Sequence, residues 1–315
     1  MEEFNFSLLE LEKNPKFLLE KNIQQVTLSD AELSSDKNRL IKLIKIIENQ
    51  VPQVHFTFYL SPSIIDKEIV ENLSLIACTL QIEFLSDYLL EKRKFFSKKI
   101  RLLNDYGLVF GFNIDSANFP TIKGFRNALD EAINYYPNHI YINNDNLSPS
   151  EKLSTQDIKK IQQLSFATEV FYSAGRAVPW FLAVIQPLKL RASQFFADFA
   201  EWQRCNNCSK EANFIPEKVS HQEIEKMQIL FLKFKYEEKH ISSCLLPLKD
   251  LILLHGAFSR CVFEGEESTL ELSYHPEDIL SPIAMDLIKF TEEVCLENHC
   301  VKIFLTEYGP NYEIL

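Results

Sequence analysis

Polar side chains recur where apolar runs end in the first half of the chain. Ser29, Asp30 and Glu32 follow one run, Glu83, Ser86 and Asp87 close another, and Asn113 with Asp115, then Asn143 with Asn144, close two more. Carboxylates, amides and hydroxyls in such places can bind a small polar molecule, and a carboxylate there can also move protons. Glu83 and Asn113 alternate with apolar neighbours, which points both to the inner side of a barrel mouth. The plainer role for the same residues is capping the helices that begin after each run. Cys205-Asn206-Asn207-Cys208 is the sole CxxC. Two thiolates could contribute to a zinc or cluster site, but strong metal motifs pair two such units or add spaced histidines. Cys244, Cys261, Cys295 and Cys300 form no second unit, so no metal is assigned. Arg176, in Ser173-Ala174-Gly175-Arg176, could meet a carboxylate or phosphate, or simply extend from a helix end near Gly175. Trp180, Phe181, Phe195, Phe196, Phe199 and Trp202 are spaced as a packed aromatic core. No HExxH and no GxSxG occurs.

The elements that would position these residues follow from the hydrophobic pattern. Val54–Leu60, Thr79–Leu85 and Leu108–Asp115 are rich in Val, Ile, Phe and Thr and read as strands. Ile64–Ala77 and Leu89–Tyr106 between them carry helical spacing. Ile23–Leu28 adds a strand before this core and His139–Asn143 one after it, with helices over Ser34–Asn49 and Thr121–Tyr135. Five strands thus alternate with four helices at a spacing of roughly 25–31 residues, the mark of a parallel βα array. Ligands meet such arrays at the C-terminal ends of the strands. Asn143–Ser154 is polar and turn-rich and marks a boundary. The expected division is residues 1–150, a partial βα barrel, and 151–315, a helix-rich α+β region. In the latter, Thr155–Ala174, Ser193–Trp202, Cys244–Ser259 and Asp278–Leu296 read as helices. His221–Tyr236 reads as a helix turning into a strand, Cys261–Phe263 with Thr269–Ser273 as a hairpin around Gly265, and Val301–Thr306 as a last strand.

Composition narrows the function classes. A formal charge of −11 leaves no cationic surplus for a nucleic-acid backbone, and the basic residues Lys92, Arg93, Lys94, Lys98, Lys99 and Arg101 fall on one helical stretch as a solvated face. No secretory leader opens the chain, and no run reaches the ~18 apolar residues of a membrane span. Seven scattered cysteines argue against a disulfide framework and for a reducing cytoplasm. Seven scattered glycines leave no phosphate-cradling loop.

The block order resembles a known family. The stretches IQQVTLSDAEL, VHFTFYLSPSIIDKEIVENLSLIACTLQIEFLSD, IRLLNDYGLVFGFNIDSANFPTIKGFRNALDEAI and PNHIYINNDNLSP are similar to strands two to six of the core of radical S-adenosylmethionine enzymes. The type with an N-terminal cobalamin-binding domain is the nearest likeness. VFYSAGRAVPWFLAV and SQFFADFAEWQ resemble the helical tail that often follows that core. The resemblance implies an incomplete TIM-like barrel, with S-adenosylmethionine met by strand-end groups at Ser29, Asp30, Glu83, Ser86, Asn113, Asp115 and Asn143. It also implies a [4Fe–4S] cluster and cobalamin. Yet the family's CxxxCxxC loop has no counterpart, for no cysteine precedes Ile23, and no cobalamin-binding domain precedes the barrel. A cluster without thiolate ligands has nothing to hold it.

Three readings follow from this mismatch. The first is a non-catalytic radical-SAM-like pseudoenzyme serving as a binding or interaction module, with a small molecule in the barrel mouth. The second is the C-terminal subunit of a split enzyme, whose protein partner completes the barrel edge left by the missing first strand. The third is a non-radical enzyme using strand-end carboxylates. No nucleic-acid or membrane partner is expected.

Overall fold

The computed structural model describes residues 7–85, 92–307 and 309–315. The chain divides into two compact units, one of Met1–Pro120 with Glu131–Leu147 and one of Thr121–Asp130 with Ser148–Leu315. In chain order the first unit carries α1 (Leu8–Lys13), α2 (Phe17–Glu20), β1 (Gln25–Leu28), α3 (Ala31–Ser35), α4 (Lys37–Gln50), β2 (His55–Leu60), α5 (Lys67–Leu73), β3 (Cys78–Glu83), α6 (Arg93–Asp105) and β4 (Val109–Asp115). Helix α7 (Ile122–Ile133) crosses the unit boundary, and β5 (His139–Asn143) returns to the first unit.

The five strands form one parallel sheet in sequential order, β1-β2-β3-β4-β5. Sequential order with right-handed crossovers sends successive helices to the same face. The strands obey that division residue by residue. Even-numbered positions are apolar and buried: Val26 and Leu28, Phe56, Phe58 and Leu60, Leu80 and Ile82, Phe110 and Phe112. The helices supply the matching stripes, Leu40, Leu43, Ile44 and Ile47 on α4, Ile69, Val70 and Leu73 on α5, and Phe96, Ile100 and Leu103 on α6. Phe84, Phe96, Phe112 and Tyr135 interlock there, with ring centroids 5.1–5.7 Å apart for Phe84–Phe96, Phe84–Phe112, Phe96–Phe112 and Phe96–Tyr135. Odd-numbered positions carry the polar residues. A strand alternates sides at every residue, so this two-faced pattern follows directly from the sequence period.

The second unit is built from α8 (Thr155–Thr168), a π-helical turn over Glu169–Ala174, α9 (Phe181–Ile185), α10 (Ala192–Cys205), α11 (His221–Glu238) and α12 (Leu245–Glu264). A three-stranded antiparallel sheet follows, from β6 (Ser268–Leu272), β7 (His299–Thr306) and β8 (Gly309–Ile314), with α13 (Pro276–Leu280) and α14 (Leu287–Glu293) inserted after β6. Its core centres on Phe171, whose ring lies 4.9 Å from Phe195, 5.0 Å from Phe199 and 5.9 Å from Trp180, all edge-on.

Several expectations for this half need correction. His221–Glu238 is helical throughout, because its Ser220–Glu223 capping box and an 18-residue run of helix formers leave no place for a strand. Cys261–Phe263 is the end of α12, which stops where Gly265 takes a left-handed φ of 68°. Residues 268–272 therefore pair with β7 and not with Cys261–Phe263. The helix expected over Asp278–Leu296 is broken at Ser281-Pro282 into α13, a short 3₁₀ turn and α14. Strand β8, unanticipated, pairs with β7 from Val301–Ile314 to Thr306–Gly309.

Candidate functional site

The polar face of the parallel sheet is assembled by register. Tyr59, Gln81, Gly111 and His139 stand side by side across β2 to β5. One step nearer the C-terminal ends, Glu83, Asn113 and Tyr141 form the next row, and Asp115 and Asn143 the last. His139 lies across Gly111: a Cβ on Gly111 would stand 2.2 Å from its Nε2 and 2.4 Å from Cδ2 and Cε1. From there Nε2–H donates to the Gln81 Oε1 at 2.5 Å, which fixes the tautomer with Nδ1 as acceptor. Burial holds the His139 imidazole below its usual range, so it is neutral near pH 7. His55 meets Thr79 Oγ1 at 2.9 Å. Among the described residues, the buried Oδ1 of Asn113 has no hydrogen-bond partner. A buried acceptor left unpaired is costly, and it is the kind of group a ligand's N–H or O–H would satisfy.

The anticipated residues separate into two kinds. Glu83 and Asn113 are register partners across β3 and β4. Asp30, Asp115 and Asn143 spend their side chains on the backbone: Asp30 accepts from Glu32 N at 2.8 Å, Asp115 from Ala117 N at 3.0 Å and Asn143 from Asp145 N at 2.9 Å. Each opens a helix or turn, the plainer role. Ser29 is exposed beside Asp30. Ser86 lies outside the described residues, as does Asp87. Gln81, Gly111 and His139 were missed; the signal was a glycine inside a strand pattern, which marks close approach by another group.

Cys205 is exposed at the end of α10, while Cys208 is buried, its thiol donating to Gln203 O at 3.5 Å and pushed up to about 11 by burial. Cys78, at the start of β3, is pushed up to about 12 by the same cause. Metal ligation needs the thiolate. Among the described residues no three His, Cys, Asp or Glu side chains are grouped to hold a metal, so they do not fit a [4Fe–4S] cluster.

A second cluster lies in the other unit. A cavity of about 570 Å3 opens beside the π-helical turn and is lined by Glu169, Arg176, Pro216, Glu217, His221 and Glu264, among others. Gln228 clamps the end of the turn, its Nε2 donating to Phe171 O at 2.7 Å and Gly175 O at 3.0 Å. That amide occupies the space a Cβ on Gly175 would need. Arg176 follows in a left-handed conformation, φ 48°, and its guanidinium reaches Ser259 Oγ at 3.1 Å and Glu264 Oε1 at 2.6 Å. Of the alternatives read for Arg176, the structure shows a carboxylate partner, Glu264. Behind the cavity, Arg260 and Glu225 form a buried ion pair at 2.7 Å, and Arg260 Nη1 donates to His221 Nδ1 at 3.2 Å. His221 is held neutral, down to about 4, by burial and by Arg176 and Arg260.

The fold and these sites define an α/β chain with a five-stranded parallel sheet and a helix-rich second unit. No protein-family model, curated protein or solved structure matches it. No helix of the described residues is long and apolar enough to cross a membrane.

Proposed function

We infer that the chain is a radical-SAM-like binding module, non-catalytic on its own, whose parallel sheet is an incomplete TIM-like barrel offering its polar strand face to a small adenosyl-type ligand. The observation that carries this reading is the row of Glu83, Asn113 and Tyr141 at the C-terminal ends of a sequentially ordered parallel sheet, with the Asn113 acceptor unpaired among the described residues. Barrels and open α/β sheets hold ligands at those ends. The sequence blocks named above give the likeness, and the lack of a CxxxCxxC loop among its seven cysteines argues against radical initiation by this chain alone. Titration of the purified chain with S-adenosylmethionine, alongside anaerobic iron–sulfur reconstitution with iron counting and electron paramagnetic resonance, tests it. Binding without iron, weakened about tenfold (~1.4 kcal/mol, one hydrogen bond) by Asn113→Ala, is the expected result. A stoichiometric cluster whose signal S-adenosylmethionine perturbs, or no binding at all, would overturn it.

One observation favours a second reading, a subunit of a split enzyme. β1 stands at the edge of the sheet and, among the described residues, pairs with β2 alone. An open parallel edge can accept a strand from a partner chain. Co-purification with a cysteine-bearing partner, with iron bound only by the pair, would replace the first reading with this one.

A further inference from the structure

The odd-numbered face of the parallel sheet carries charge of one sign. Its strand positions hold the carboxylates of Glu83 and Asp115 and no Lys or Arg; the others are Thr, Gln, Asn, Tyr, His, Gly and Val. His139 supplies no positive charge, since burial keeps its imidazole neutral near pH 7 and Gln81 takes its Nε2–H, which leaves Nδ1 as an acceptor. Asp115 accepts the backbone N–H of Ala117, which orients the carboxylate without neutralising it. Among the described residues nothing pairs with the exposed Glu83 carboxylate. In the same row the buried Oδ1 of Asn113 has, among the described residues, no donor to meet. Tyr141 closes the row, 57% exposed and without a ring contact among the described residues.

Register partners on neighbouring strands stand about 4.8 Å apart and point to the same side, so Glu83 and Tyr141 flank Asn113. An acceptor without a donor, a carboxylate without a counter-ion and an open aromatic ring are all satisfied by one kind of partner. That partner is an organic cation that also carries an N–H or O–H. A neutral ligand of the same shape fills the Asn113 acceptor but leaves the carboxylate and the ring unanswered. Building on the adenosyl reading of this face, we propose that the row reads its ligand's positive charge. It takes a sulfonium, with the charge between Glu83 and Tyr141 and a donor on Asn113, and discriminates against the neutral thioether that remains once a sulfonium has given up an alkyl group. Binding is noncovalent, and Glu83 and Tyr141 set specificity.

Calorimetric titration of the full chain with S-adenosylmethionine and, separately, with S-adenosylhomocysteine tests this, because the two compounds differ by a methyl group and its positive charge. The sulfonium compound should bind at least about tenfold tighter, the scale of one charge-assisted contact. Glu83→Gln should bring that ratio to within about twofold of unity. Damage to the face weakens both ligands alike and leaves the ratio standing, so the ratio reports charge and not folding. Tyr141→Leu should lower the ratio about two- to fivefold and Tyr141→Phe should preserve it, which keeps the test open should Glu83→Gln not fold. Glu292→Gln removes an exposed carboxylate from α14 and should leave the ratio unchanged. Equal or tighter binding of S-adenosylhomocysteine would overturn charge selection and leave the adenosyl site standing. An equal fall of the ratio in Glu292→Gln and Glu83→Gln would overturn it as well, as general attraction to a chain of charge −11. No saturable heat from either compound up to about 10 mM would remove the site itself, and charge selection with it.

Discussion

Gly111 offers the sharpest test of the polar strand face. Its φ lies outside the left-handed region, so alanine meets no backbone strain there, and in a strand alanine is better than glycine by ~0.5–1 kcal/mol. The nearest obstacle is His139, whose ring atoms stand 2.2–2.4 Å from the new methyl group. For Gly111→Ala to fold, the imidazole must swing away from Gln81. Gln81 is only 4% exposed, so losing its donor costs ~1–3 kcal/mol. The displaced ring forfeits a further ~1 kcal/mol of burial. Subtracting the strand gain leaves a net loss of ~1–3 kcal/mol. In a His139→Ala background that nearest obstacle is gone, and the same substitution should stabilise by ~0.5–1 kcal/mol. The sign of the effect therefore reverses. Urea unfolding of the four proteins of the cycle, followed by circular dichroism, measures the coupling, expected at ~2–4 kcal/mol. Nuclear magnetic resonance of His139 adds a second readout: in Gly111→Ala its titration should move back up toward the ordinary value of 6.5 as the ring leaves its buried position. A coupling below ~0.5 kcal/mol would show that His139 does not lie on Gly111.

Two further predictions concern buried charge in the second unit. Asp250 is 1% exposed, accepts from the backbone N–H groups of Ser273 and Tyr274, and has its carboxyl raised from 3.8 to about 6 by burial. Between those values the native state keeps a proton that the unfolded chain has lost, so stability falls as pH rises through that window, by at most ~3 kcal/mol. Asp250→Asn keeps an acceptor for both N–H groups and should abolish that slope; an unchanged pH profile of unfolding would refute it. Arg260→Met leaves Glu225 buried without its partner and should cost ~3–5 kcal/mol, most of it recovered in Glu225→Leu/Arg260→Met. The same substitution should let His221 titrate above its value of about 4, since Arg260 is one of the charges depressing it.

The parallel sheet was legible because its strands alternate cleanly and sit between amphipathic helices; β2, β4 and β5 fall within a residue or so of their expected limits. That Asn113 and Glu83 share one side of the sheet was legible for the same reason. What was not legible depended on contacts distant in sequence. Gln81 reads as one polar residue in an apolar run, and only its alignment beside Gly111 and His139 gives it a partner. The π-helical turn has no sequence signature: Glu169–Ala174 reads as more of α8, and the extra residue becomes visible only where Gln228 binds the carbonyls of Phe171 and Gly175. The antiparallel sheet was misread because β7 pairs with β6 on one side and β8 on the other, while Cys261–Phe263, apolar and short, is as strand-like as it is helical.

The division of β1 to β5 into odd, polar positions and even, buried ones also limits how this chain can change length over evolutionary time. A single codon gained or lost within β3 or β4 would exchange Gln81, Asn113 and Gly111 for Ile82, Phe112 and Phe110 downstream of the change, turning the phenylalanine wall to the polar side. Only pairs of codons preserve both faces at once. Divergent homologues should therefore vary freely in the connections but hold strand lengths to one parity, so that a parity change marks a lineage in which the polar face no longer serves.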